Sequence, residues 1–220
     1  MPDAIEAALK NALTASCRIG QLSVRKRTRG FVLSHRDDEG RDDLQNFGSA
    51  DDAVEIARYD DAGKYRPLKT APNLRHGWRL QVVDLGELRR ALDYFYPGRL
   101  SMFAAWKEDR LTATPLRETL DRQSGMYRVA SKISDEQIND LVASFCRSDC
   151  GCLRTILWKR DASGIVASAK LPPEKFDASR DQTGRGENAI PLLCQEACNL
   201  LVAECRKVVK MEGAAPSAPE

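Results

Sequence analysis

Six of the seven cysteines in this chain lie beyond residue 145, five of them in two groups. Cys146, Cys150 and Cys152 form the first and Cys194 and Cys198 the second; Cys205 follows further along, and Cys17 stands apart. Clustered thiols are what a soft metal centre requires. The thiolate is the ligating form, and four of them close either a cubane iron–sulfur cluster or a tetrahedral zinc site. A helix from about Leu192 to Lys210 would put Cys194 and Cys198, four residues apart, on one face. Its first turn carries unpaired N–H groups and the positive end of the helix dipole, which favour a negatively charged cluster.

The first group falls where a helix ends and a strand begins, in a loop able to wrap a cluster and offer N–H donors to its sulfurs. Joining the two groups closes a long loop, whose entropy cost grows only slowly with length and is offset by metal–thiolate bonding. The ligand set reads as Cys146, Cys152, Cys194 and Cys198, with Cys150 competing with Cys146 for one place. Cys205 lies roughly two helical turns, or about 10 Å, beyond Cys198, too far for the same centre. It reads as a core thiol, as does Cys17. Neither group has the C-x₂-C spacing of zinc knuckles or a ferredoxin spacing, so the cysteines alone leave zinc as the alternative to a 4Fe–4S cluster.

Length and charge narrow the setting. The chain has 220 residues, with 34 basic and 32 acidic side chains for a formal net charge of +2. A nucleic-acid partner is not expected from so small a basic excess. No apolar run approaches the ~20 residues that span a bilayer, so no membrane partner is expected. The N-terminal stretch MPDAIEAALKNAL reads as an amphipathic helix rather than a signal peptide. A cytoplasmic location follows as the expectation, and with it reduced thiols rather than disulfides.

The elements that must position these thiols read as an α+β fold. Strands are expected over Ile19 to Lys26 and Gly30 to His35, with Arg27 to Arg29 as their turn. An acidic loop spans residues 36–51, and a short helix capped by Asp51 or Asp52 follows. A strand from Trp78 to Val83 leads to a helix capped by Asp84 and stopped by Pro97-Gly98. Leu100 to Trp106 reads as a buried strand, Leu111 to Thr114 as its hairpin partner and Pro115 to Gln123 as a short helix. Ser134 to Gln137 has the capping-box pattern of a helix start, and Leu153 to Trp158 reads as a strand. A polar connection fills residues 159–190. The expected division is a mixed α+β module over residues 1–125, a small helix–strand–helix, cysteine-bearing module over 126–210, and a disordered tail over 211–220.

Two runs add a family likeness. CLRTILW at 152–158 and CQEACNLLVA at 194–203 resemble a 4Fe–4S cluster-binding domain associated with small CbiX-type chelatases, which insert cobalt or iron into sirohydrochlorin. GKYRPLKTAPNLRHGW at 63–78 and ELRRALDYFYPG at 87–98 resemble the module that accompanies it, a stabilising domain. Together the likeness covers most of residues 15–210. It implies a 4Fe–4S cofactor and a CbiX-type chelatase or a redox protein as partner. The departures are Gln195, where proline often stands, and only two histidines, too few for the His-based insertion site of such chelatases. These 220 residues leave no room for the chelatase itself, so the likeness implies an accessory or electron-transfer protein of cobalamin or sirohaem-type metabolism, not a stand-alone enzyme. The alternative is a non-redox binding module with a structural metal. No catalytic residue is assigned.

Other candidate chemistry reads as ordinary structure. His35 is expected at the surface beside loop acids, and His76 in a turn with Arg75 and Arg79. Arg154 reads as a solvated strand residue. Gly184 to Asn188 hints at a phosphate loop but follows no clear strand. Trp78, Tyr94, Phe95, Tyr96, Phe103 and Trp106 read as the N-terminal core, with a tetrapyrrole groove as the less economical use.

Overall fold

The computed structural model describes residues 3–13, 16–146, 152–161 and 189–213. They group into two compact units. The first takes in Met1–Leu111, Cys152–Arg154 and Asp177–Leu193, and the second Thr112–Gly151, Thr155–Phe176 and Cys194–Glu220.

In the first unit α1 (Ala4–Ala12) starts at Asp3, whose carboxylate accepts the Ile5 N–H at 3.0 Å. The single strand expected over Ile19 to Lys26 is in fact two, β1 (Ser16–Ile19) and β2 (Leu22–Lys26), paired antiparallel. The break falls at Gly20, with φ +57°, where a Cβ would sit 2.6 Å from Tyr96 Oη. That hydroxyl accepts the Gln21 N–H at 2.8 Å, so the turn is tied to the helical layer. The turn expected at Arg27–Arg29 forms, and β3 (Phe31–His35) returns antiparallel to β2. The stretch read as a loop from residue 36 contains a 3₁₀ turn at Arg36–Asp38 and a short strand, β4 (Gln45–Phe47). β4 runs parallel to β5 (Trp78–Val82), which lies antiparallel to β3. Residues Ala189–Ile190 add a parallel strand on the other side of β1, completing six strands in the order β4, β5, β3, β2, β1, 189–190.

Alternation along the central strands sends Leu22, Val24, Leu33, Leu80 and Val82 into one buried cluster. The helices α2 (Asp52–Arg58) and α3 (Leu85–Phe95) supply Ile56, Leu88, Leu92 and Phe95 to it, and Trp78 stacks on Phe95 with ring centroids 5.2 Å apart. Each such side chain contributes about 1.5–3 kcal/mol when fully buried. Asp84 caps α3 as expected, accepting the Glu87 N–H at 2.8 Å. The buried strand expected from Leu100 to Trp106 is instead α4 (Arg99–Lys107). Its buried residues, Leu100, Phe103 and Ala104, recur at i, i+3 and i+4, which is helical spacing. Leu111 to Thr114 forms no strand.

Gly30 marks the tightest backbone approach in the sheet. Its φ is +79°, and a Cβ there would lie 2.0 Å from the Val82 carbonyl oxygen. Gly30→Ala is therefore expected to cost at least about 1–3 kcal/mol from the left-handed backbone alone, with the clash added. Chemical denaturation of wild type and variant measures it, and a difference below about 0.5 kcal/mol would contradict this geometry.

The second unit is built on α5 (Leu116–Asp121), a 3₁₀ segment over Gly125–Lys132, α6 (Asp135–Phe145) and α7 (Asn199–Gly213). The capping box is present: Ser134 Oγ accepts the Gln137 N–H at 3.2 Å and Gln137 Oε1 accepts the Ser134 N–H at 2.9 Å. Leu116, Ile138, Val142, Trp158, Leu201 and Val202 form a separate apolar cluster. Only Thr155–Ile156 of the expected strand over Leu153 to Trp158 is extended ladder, pairing with Leu193–Cys194.

The last helix begins later than expected, at Asn199 rather than Leu192. Pro191 biases the residue before it away from helix, and Leu193–Cys194 is a strand. The true helical period starts at Leu201 and continues through Val202, Cys205, Val208 and Val209, all in or against the second cluster. Most of the polar connection, residues 162–188, and residues 214–220 of the expected tail lie outside the described residues.

Candidate metal centre

Cys194 and Cys198 do not share a helix face as expected. Cys194 ends the short strand, and its carbonyl accepts the Leu157 N–H at 3.0 Å. Its thiol donates to the Glu196 carbonyl at 3.0 Å. The Gln195 carbonyl accepts the Thr114 N–H at 2.8 Å, and Arg122 pairs with Glu196, so the turn from 195 to 198 is held on both flanks. Cys198 directly precedes α7, and its carbonyl accepts the Val202 N–H at 3.1 Å, which makes it the N-cap. The dipole argument therefore applies to Cys198, at the positive end of a 15-residue helix.

Cys146 is the C-cap of α6, its N–H donating to the Val142 carbonyl at 3.0 Å. Half-buried, it packs against the same apolar cluster as Cys198, and buried Cys194 belongs to that cluster. Three of the four expected ligands thus lie in one unit against one core. Cys146 sits at the negative end of its helix, where a thiolate is disfavoured; its competitor Cys150 lies outside the described residues.

Cys205 is buried within α7, and burial above all pushes its thiol up to about 11. It stays protonated at neutral pH, which suits a core thiol and not a ligand. At pH 8 its alkylation in the native protein is expected to be at least about 100-fold slower than for an ordinary thiol with pKa ≈ 8.5, becoming fast on unfolding. Peptide mapping after iodoacetamide labelling checks this; prompt native labelling of Cys205 would contradict the burial.

Cys152 belongs by its packing to the first unit. Its sulfur lies 3.1 Å from Thr70 Oγ1 and accepts the Arg154 N–H at 3.5 Å, while the Leu153 N–H donates to the Thr70 carbonyl at 2.6 Å. Thr70 is itself held by a buried arginine. Arg66 donates to the carbonyls of Ala57 (3.2 Å), Lys69 (3.1 Å) and Ala71 (3.4 Å) and to Asn73 Oδ1 (2.8 Å). It is fully buried, and desolvation lowers its pKa. The GKYRPLKTAPN stretch is therefore a loop wound on one guanidinium. Its sequence shows the arginine but not its burial, and nothing in it points from Thr70 to Cys152.

Of the remaining candidates, His35 is corrected. It is 0% exposed, not at the surface, and burial, followed by the neighbouring His76, lowers its pKa to about 4. His76 is partly exposed. Gly184 to Asn188 lies outside the described residues. Trp78, Phe95, Tyr96 and Phe103 are core side chains, which removes them from any tetrapyrrole groove.

The donor set fits an iron–sulfur cluster: several cysteines that are thiols rather than disulfides, apolar surroundings, an N–H donor to sulfur, and a helix N-terminus at one ligand. The comparisons with known proteins agree. Residues 108–207 match the 4Fe-4S iron-sulfur cluster binding domain family, and residues 3–110 match the DR2241 stabilising domain family. Among solved structures, the chain is similar to DR2241 from Deinococcus radiodurans, with 29% identity and a TM-score of 0.75 over 94% of this chain and 41% of that one. That protein is described as multi-domain, with structural similarity to chelatases and two additional novel domains. The chain thus spans less than half the length of this relative. No curated protein matches it. Among the described residues, no helix is long and apolar enough to cross a membrane.

Proposed function

We propose that this chain, which joins a stabilising domain to a 4Fe–4S iron–sulfur cluster binding domain, acts as an accessory electron carrier to a chelatase-type protein of cobalamin or sirohaem-type tetrapyrrole metabolism. Bound to the protein, a 4Fe–4S cluster supplies one-electron chemistry. The ligands in this reading are Cys146, Cys152, Cys194 and Cys198, with Cys150 as the competitor for Cys146. The observation that carries it is the matched cluster-binding domain, in which Cys146, Cys194 and Cys198 pack in or against one apolar core. The tetrapyrrole link is supported by the chelatase-like neighbour, DR2241.

In this reading each side chain has a task. Cys198 presents its sulfur at the positive end of α7, Cys194 is held by the strand it ends, and the apolar cluster around them excludes water. Thr70 O–H and Arg154 N–H donate toward Cys152, lowering the charge that its sulfur must carry.

Anaerobic purification followed by iron and sulfide analysis and a redox titration tests the proposal. About four irons and four sulfides per chain are expected, as a cubane requires, with reversible one-electron reduction and faster reoxidation when a CbiX-type chelatase is added. Stoichiometric zinc in place of iron would overturn it. A cluster that cannot be cycled, and whose removal unfolds the second unit, would assign the metal to a structural role instead.

A further inference from the structure

Away from the cysteines, the first unit brings its two histidines together with a buried carboxylate. One ring nitrogen each from His35 and His76 and one Asp38 oxygen lie within 4.8 Å of one another. The rings are 3.8 Å apart, centroid to centroid. Asp38 is anchored: its side chain is 1% exposed, Gly77 N–H donates to Oδ2 at 2.7 Å, and Arg41 Nη1 donates to Oδ1 at 2.8 Å. A carboxylate has about four lone-pair sites, so acceptor capacity remains. Arg41 is itself clamped by Asp43, at 3.0 and 2.8 Å, which offsets its charge.

Both histidines are oriented by a second carboxylate. His76 places Nδ1 3.7 Å from Asp38 and Nε2 3.6 Å from Asp61, which also accepts the His76 backbone N–H at 2.6 Å. His35 Nδ1 accepts the Asp37 N–H at 3.2 Å and lies 3.8 Å from the Asp37 carboxylate. His35 Nε2 is buried and has no partner among the described residues. An unmet buried polar group of this kind is costly until a ligand meets it. A metal-bound histidine almost always gives its other ring N–H to a carboxylate, carbonyl or water, and Asp61 and Asp37 stand where such partners are needed.

We propose that His35, Asp38 and His76 form a metal site, separate from the cysteine centre, for a divalent first-row ion such as Zn²⁺. Two imidazoles and one carboxylate suit that class, with water completing the coordination. His76 coordinates through Nδ1, and its Nε2, 3.6 Å from the Asp61 carboxylate, closes onto it as the ring moves. His35 coordinates through Nε2 and its proton moves to Nδ1, which gives up the hydrogen bond it accepts from the Asp37 N–H and turns to the Asp37 carboxylate, 3.8 Å away. Donors around zinc lie about 3.3 Å apart at tetrahedral Zn–N lengths, so the group contracts by roughly an ångström. The partly exposed ring of His76 is the one able to move.

The test uses the full chain with its cluster in place. Anaerobic equilibrium dialysis against Zn²⁺, and against Co²⁺ as a spectroscopic probe, is run on wild type, His76→Ala and His76→Cys. The expected result is one equivalent beyond the cluster in wild type, its affinity lowered about 100-fold or more in His76→Ala. His76→Cys should keep Co²⁺ and gain a sulfur-to-cobalt charge-transfer band absent from wild type. Unchanged cluster content in both variants shows that they fold. No extra equivalent in wild type, equal binding by wild type and His76→Ala, or a bound ion in His76→Cys without the new band would each overturn the site.

Discussion

Cys198→Ser is expected to reduce iron from about four per chain to well under one, with loss of the visible absorption of the cluster. The variant is informative because serine suits the local backbone. Cys198 is the N-cap of α7, and serine is among the strongest N-cap residues, worth about 1 kcal/mol over alanine there. The helix should form at least as well, so a lost cluster would report a lost ligand and not a lost fold. Cys205→Ala supplies the opposite control: it sits on the same helix but is buried in the core with its thiol held protonated. It should cost stability while leaving the iron content near four. Metal analysis and circular dichroism on both proteins separate the two effects. Full iron content in Cys198→Ser would remove that residue from the ligand set.

The second large effect lies in the first unit. Arg66→Met keeps much of the side-chain volume but removes the donors shared among the carbonyls of Ala57, Lys69 and Ala71 and the side chain of Asn73. Each buried acceptor left without a partner costs about 1–3 kcal/mol. Lys69 also donates to the Ala57 carbonyl, at 2.7 Å, so one of the four is partly covered. A loss of roughly 3–5 kcal/mol is expected from chemical denaturation. Thr70→Val provides the finer comparison, deleting only the hydroxyl beside Cys152 Sγ, 3.1 Å away. It should cost about 1 kcal/mol. If Arg66→Met cost less than about 1 kcal/mol, the loop would not depend on its guanidinium.

The cluster-binding character was legible because metal chemistry restricts residue type: a cluster needs thiols, and two groups of closely spaced thiols, 146, 150, 152 and 194, 198, are the pattern one would take. Their setting was harder to read. Leu192 and Leu193 continue the apolar pattern of α7 backwards, so periodicity alone runs the helix through Cys194, and only Pro191 hints otherwise. In α4 the run LSMFAAW satisfies alternation and helical spacing equally, and a short apolar segment does not distinguish them. Asp84 and Ser134 were readable as helix starts because capping is local chemistry. The Thr70–Cys152 contact and the meeting of His35 with His76 depend on which distant strands become neighbours, and no local pattern encodes that. His35 looked like a surface residue because acids follow it. The acid that matters, Asp38, turns inward to the Gly77 N–H and Arg41.

The parallel strand at Ala189–Ile190 has a further consequence for how the chain becomes a protein. It completes the β1 side of the first unit's sheet, with Arg18 facing Ala189 and Ile19 facing Ile190. As the chain is synthesised, β1 emerges well before the strand at Ala189–Ile190 that pairs with it. Until then, the edge of β1 offers unpaired amide and carbonyl groups to any passing strand. The interval before closure is the period of greatest exposure to misassembly, since pairings this distant in sequence form slowly. A piece of the chain ending at Leu111 would keep that edge open for good, so the stabilising half gains its own finished sheet only once the cysteine-bearing half is nearly all made.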